Sequence, residues 1–325
     1  MFIRPIEEVI DRLVIRSREL GEGCSRVFVA ASGGVDSTVV TTILCLSFGP
    51  EYVVALFRNI KCDPQHLEDV KALKKILGFR LIKLDLTEEY DNILRKIKDQ
   101  FIEEGLDWIE EGTNAAEKSG WKESYASLKS RFTTPLAGFI SKAIDNGKGR
   151  IFGTGNAEED GLLRYFDKFG DGAVDNNILD GLTKMEIRQL ALYFYERFDD
   201  GEIFKRIAEK IPSADLWGCG DMHNDEEELA NWARNMGYNK ARITYGNLEK
   251  EGTIAWVLGQ DEKFGVVSGE KSNWNKTELI DEYGYNEEEV QNILFTRHLE
   301  KSTRHKTEPP LGLSRKILKG EGYVK

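Results

Sequence analysis

Over the first twenty positions apolar residues recur at the spacing of one helix face: Ile6, Val9, Ile10, Leu13 and Val14 align between Pro5 and Gly21. That spacing predicts an amphipathic helix opened by proline and stopped by glycine. Val27 to Ala31 is then a short apolar run, followed by Ser32, Gly33 and Gly34 and by a helical pattern from Asp36 to Leu46. Strand, glycine-rich turn and helix are expected in that order. The alternation repeats. Tyr52 to Phe57 reads as a strand, and Asp63 with Pro64 opens a helix carrying Leu67, Val70, Leu73, Ile76 and Leu77. Gly78 closes that helix before a strand over Phe79 to Leu86. Further on, a long helical stretch is expected from about Tyr125 to Asn146 and a strand at Arg150 to Gly153. A helix capped by Thr183 and Glu186 should run to about Phe198, and a last one from Asn286 to Leu299.

Strands alternating with helices of this length imply parallel pairing through crossovers. The expected fold class is therefore α/β, a doubly wound parallel sheet with helices on both faces. The α/β core is placed at residues 1–230. Residues 231–284, where Gly, Asn and charged positions interrupt short apolar runs, read as an inserted subdomain or lid. Residues 285–325 read as a C-terminal helix and a tail made basic by Arg304, His305 and Lys306.

With 325 residues, 40% of them hydrophobic, the chain can bury a sizeable core. No run approaches the roughly 18 apolar residues of a membrane span, and acidic residues stand where a signal peptide would be apolar, so a cytoplasmic location is expected. Cys24, Cys45, Cys62 and Cys219 lie too far apart in sequence for a metal motif and read as reduced thiols. The formal net charge of -11 argues against a nucleic-acid partner, which needs clustered cations, but allows a small anion in a local basic pocket.

The chemistry concentrates in Ser32, Gly33, Gly34, Val35, Asp36 and Ser37, set between an expected strand and an expected helix. There backbone N–H groups and the positive end of the helix dipole converge on one spot suited to pyrophosphate. Glycine lets the backbone approach phosphates closely, Ser32, Ser37 and Thr38 offer hydroxyl donors, and Asp36 can hold a magnesium ion bridging phosphate oxygens. This string resembles the pyrophosphate loop of the adenine nucleotide alpha-hydrolase superfamily, whose members adenylate a substrate and release pyrophosphate. The loop by itself leaves the substrate open.

A second set of blocks is similar to the NAD synthetase signature. It comprises Gly153 to Gly161 (GTGNAEEDG), Leu162 to Asp175 (LLRYFDKFGDGAVD), Gly181 to Lys184 (GLTK), Pro212 to Trp217 (PSADLW) and Asp225 to Leu229 (DEEEL). The resemblance implies an ammonia-dependent NAD synthetase that uses ATP and Mg2+ to convert deamido-NAD to NAD, with AMP and pyrophosphate as by-products. It implies that Thr154, Lys184 and Ser213 contact ATP, and that Glu159 joins Asp36 on magnesium. Arg131, Lys168, Asp175, His305 and Lys306 would contact deamido-NAD, the cations suiting its pyrophosphate and carboxylate and Asp175 its ribose hydroxyls. Asp36, Glu159 and Lys184 are the implied catalytic residues, and a homodimer the implied assembly.

Three departures from the family pattern stand out. Arg131 is followed by Phe132 and Thr133 where a second arginine is usual, Phe57 to Cys62 replaces a turn richer in proline and glycine, and residues 231–284 match no family block. Two other readings stay open on the sequence: a related adenylating ligase or amidotransferase acting on another carboxylate or a nucleobase, and a non-catalytic nucleotide-binding regulator.

Overall fold

The computed structural model describes residues 2–106, 108, 115–213, 224–252, 254, 276–281 and 283–307. Cys219, most of the PSADLW block, residues 255–275 of the expected insert and the tail beyond 307 lie outside the described residues.

Helix α1 (Ile6–Leu20) precedes β1 (Val27–Ala30) and α2 (Val35–Phe48). Then come β2 (Val53–Asn59), α3 (Pro64–Leu77), β3 (Arg80–Asp85) and α4 (Thr87–Glu103). Helices α5 (Ala115–Arg131) and α6 (Thr133–Ala143) lead to β4 (Arg150–Gly153), and β5 is only Asn176–Asn177. Helices α7 (Lys184–Arg197), α8 (Glu202–Glu209) and α9 (Asp225–Asn235) and a C-terminal helix, Glu287–Ser302, complete the framework. The strands form one parallel sheet in the order β3-β2-β1-β4-β5.

Side chains alternate across that sheet as strand geometry requires. Val27, Val29, Val53, Ala55, Phe57 and Phe152 turn to one face and form the main core with α1, α2, α3, α7 and α8. Phe28, Leu56, Ile82 and Ile151 turn to the other, against Leu136, Ala137 and Ile140 of α6. Because both faces are covered, the strands read as apolar runs. α2 is buried nearly all round, and Thr41, Thr42 and Ser47 tolerate this by donating to backbone carbonyls four residues earlier, at 2.6 to 2.7 Å.

The helix expected over Tyr125 to Asn146 is two helices, broken at Phe132. Pro135 explains the break: its ring cannot donate to the Arg131 carbonyl, so proline is tolerated only within the first turn of a new helix. Among the described residues no helix is long and apolar enough to cross a membrane.

Candidate active site

From β1 the chain runs outward through β2 to β3, then crosses to β4 on the other side of β1. The crossovers therefore diverge between the carboxyl ends of β1 and β4, where doubly wound sheets leave a ligand crevice. A cavity of about 270 Å³ lies there, lined by Ser32 and Gly34 after β1 and by Gly153 and Thr154 at the end of β4. Val35, Asp36, Ser37, Glu159, Lys184 and Ser213 also line it. Gly33 and Thr38 do not; Thr38 is buried in α2.

Local chemistry sets the turn. Gly33 has φ +83° and a Cβ there would come within 2.8 Å of the His66 carbonyl oxygen, so only glycine fits. Ser32 Oγ lies 3.0 Å from Ser37 Oγ and accepts from the Gly34 N–H at 3.2 Å, tying the loop across its own mouth. Gly34 is the N-cap of α2 and has no side chain to cap it, which leaves the first-turn amides oriented toward the crevice.

Lys184 is the centre of the charged cluster. Residue one of α7, it is placed by a capping box in which Thr183 and Glu186 bond each other's backbone N–H. Its ammonium is buried, 2.6 Å from Asp36 Oδ2 and 2.7 Å from Glu159 Oε1. Burial works to lower its pKa, but Asp36, Glu159 and Asp225 together hold it above the usual lysine value, so Lys184 stays charged. Burial raises the pKa of Glu159 against the pull of Lys184, and Asp36 pushes it further up. Two carboxylates share one ammonium. Such a pair of hard oxygen donors fits a small divalent cation completed by phosphate oxygens and water. Among the described residues no group of three or more ligands forms a ready-made metal cage.

The acidic block after β4 reaches the cluster through a π-helical turn, Ala157–Leu163, a wide geometry common at functional sites. Asn156 caps it by accepting from the Glu159 N–H at 2.9 Å, and donates through Nδ2 to Asp36 Oδ1 at 3.2 Å. Glu158, fully buried, accepts the Lys184 backbone N–H at 2.9 Å, while Asp160 accepts from Asn177 at 2.8 Å. Of three consecutive acids, Glu158 and Glu159 thus hold the backbone and the ammonium of Lys184, and Asp160 holds Asn177.

Sequence reasoning missed several site residues. Tyr245, from the stretch expected to be an insert, donates its hydroxyl proton to Glu159 at 2.9 Å or Asp225 at 3.1 Å, and its ring centre lies 5.0 Å from the Lys184 ammonium. Its short segment packs with Leu162, Leu163, Leu229 and Phe295. No periodicity marks Tyr245 in the sequence; Thr244 as a cap was the only local signal. Asn156, Asp225 and Lys210 were likewise not singled out for the site.

The residues expected to take deamido-NAD are not among those lining the cavity. Most gather instead around residues 164–171. Arg131 pairs with Asp167 at 3.2 Å, Lys168 donates to the His305 carbonyl at 2.6 Å, and Lys306 donates to the Arg164 carbonyl at 2.9 Å. Asp175 accepts from the Ile151 N–H at 2.8 Å beside β4.

Comparison with known proteins gives a consistent picture. The family model described as NAD synthase matches residues 12–234. The NH(3)-dependent NAD(+) synthetase of Carboxydothermus hydrogenoformans is 28% identical over 253 residues, covering 77% of this chain and 89% of the relative. That of Archaeoglobus fulgidus is 31% identical over 229 residues, 69% of this chain and 78% of the relative. Among solved structures, the NMN synthetase from Francisella tularensis superposes with a TM-score of 0.62 at 19% identity, covering 95% of this chain and 98% of the other. The NH3-dependent NAD synthetase from Campylobacter jejuni does so at 0.59 and 16% identity, covering 96% and 100%. At these identities the structural likeness is one of fold.

Proposed function

Because the chain belongs to the NAD synthase family, we propose that it amidates the nicotinate carboxylate of deamido-NAD with ammonia at the expense of ATP, giving NAD, AMP and pyrophosphate. The observation that carries this reading is the convergence of Asp36, Glu159 and Lys184 beside the Ser32–Ser37 turn at the sheet's switch point.

The chemistry follows from the carboxylate. Hydroxide is a poor leaving group from it near neutral pH, so the oxygen must first be converted to a better one. In the proposed sequence the substrate carboxylate attacks the α-phosphate of ATP, expelling pyrophosphate and forming an adenylate. Ammonia then attacks the acyl carbon, AMP leaves, and the excess proton passes to solvent. The turn's amides with Ser32 and Ser37 hold the phosphates, Lys184 offsets their charge, and Thr154 and Ser213 fix the nucleotide. A magnesium ion held by Asp36 and Glu159 would supply charge neutralisation at the phosphate oxygens. No side-chain nucleophile is needed.

Arg131, Lys168, Asp175, His305 and Lys306 are proposed to bind deamido-NAD. In support, Arg131, Lys168, His305 and Lys306, from three parts of the chain, meet around residues 164–168, next to Tyr165 of the cavity lining. A homodimer in the cytoplasm, with 231–284 serving the site as an insert, completes the proposal; Tyr245 on Glu159 supports the last point.

The test is to incubate the protein with ATP, magnesium, ammonium and deamido-NAD and follow products by mass spectrometry, with an ammonium-free control. Equal yields of NAD and AMP are expected. ATP cleavage without NAD would sink the assigned substrate, and no cleavage would sink the enzymatic reading.

A further inference from the structure

The ammonium of Lys184 is already committed to carboxylates: Asp36 and Glu159 both lie within 2.7 Å of it, so the side chains of that cluster by themselves offer a phosphate no net positive charge. A departing pyrophosphate needs positive charge on the other side of the turn. The structure supplies it from α3 and α8. Asp69 of α3 is fully buried, and its two carboxylate oxygens take Arg206 of α8 and Lys210, the C-cap residue of that helix. Gln65 also donates to Asp69, at 2.9 Å. Arg206 and Lys210 are four residues apart and so share a helix side. One carboxylate against two cations leaves this second cluster with an excess positive charge. Lys210 lines the same cavity as Ser32 and Asp36, and its ammonium lies 3.5 Å from the carbonyl oxygen of Gly33, inside the turn itself.

We propose that Lys210 is a pyrophosphate-binding residue, a second cationic anchor across the turn from Lys184, with Asp69 as the positioning residue that holds its ammonium at the loop. The inference deepens the ATP-cleaving reading and rests on it. The lysine is partly exposed and is held in place by Oδ2 of a buried carboxylate whose Oδ1 takes Arg206 and Gln65; an ammonium has three N–H donors, so it can give one to a phosphate while another stays on Asp69.

A purely structural role for the cluster, clamping α3 to α8, makes a different prediction, and two variants of the full chain separate them. Lys210→Gln keeps a hydrogen-bond donor for Asp69 but removes the charge at the cavity; Arg206→Gln does the same on the side that does not line the cavity. Affinities for pyrophosphate, Mg-ATP and AMP are measured by titration calorimetry on both and on the unaltered protein. Lys210→Gln should weaken pyrophosphate and ATP about tenfold or more while AMP binding stays within twofold, Lys210→Arg should recover most of the loss, and Arg206→Gln should bind all three normally. Unchanged pyrophosphate affinity in Lys210→Gln, or equal losses in both glutamine variants, overturns the proposal while leaving the proposed function standing. Failure of the unaltered protein to bind ATP or pyrophosphate overturns both.

Discussion

Asp36 sits where three demands meet: it is the second residue of α2, it accepts from Asn156, and it pairs with Lys184 at 2.6 Å. Replacing one oxygen with an amide keeps the shape and removes the charge. Asp36→Asn should therefore leave the circular dichroism spectrum and melting profile close to those of the parent and lower kcat by 100-fold or more, on the order of what one electrostatic contact to a reacting group is worth. Tyr245 is the complementary case, since its hydroxyl is what reaches Glu159 and Asp225. Tyr245→Phe should cost about 1 kcal/mol in denaturant unfolding and raise the magnesium concentration needed for half-maximal activity, because Glu159 and Asp225 lose a shared donor. An unaltered magnesium response would show that Tyr245 serves packing alone. Neither residue's partners could be read from its neighbours in sequence. Asp36 stands in a legible motif, but Tyr245 lies 86 residues from Glu159, and only folding brings them together.

At the scale of elements, the pairing of α3 with α8 depends on Asp69. Burial works to raise its pKa, yet the hydrogen bonds and charge of Lys210, with Gln65 and Arg206, hold it below the ordinary aspartate value of 3.8. A depressed folded-state pKa contributes stability that is fully present above the unfolded value and is lost as pH falls through the folded one. Asp69→Asn should thus be less stable than the parent at neutral pH, and the gap should narrow as pH drops from about 5 to about 2, measured by urea unfolding. A constant gap would mean that Asp69 contributes through shape and not through charge. Most elements were legible because each carries its own pattern: the apolar runs of β1, β2 and β4, the Pro64 and Gly78 boundaries of α3, the capping box of α7. β5 was not, since two asparagines in line with Phe152 and Gly153 have no period to detect. The break between α5 and α6 was missed because an apolar pattern continues across it, although Pro135 marked the place.

For the whole molecule, sheet order matters more than any single strand. The reversal of direction at β1 opens a crevice between β1 and β4, and the glycine-rich turn falls on its edge. For the proposed homodimer, light scattering should return twice the chain mass, and a single-chain mass at micromolar concentration would remove the dimer from the proposal. What the sequence determined unaided was the alternation of strands and helices, and with it the parallel sheet and the glycine-rich turn after β1, because hydrophobic period, caps and glycine act over a few adjacent residues. Which charges meet was decided only by tertiary structure. Lys184 between Asp36 and Glu159, Lys210 on Asp69 and Tyr245 on Glu159 and Asp225 are contacts between segments remote in sequence. Their energies depend on distance and burial in three dimensions, which no local pattern encodes.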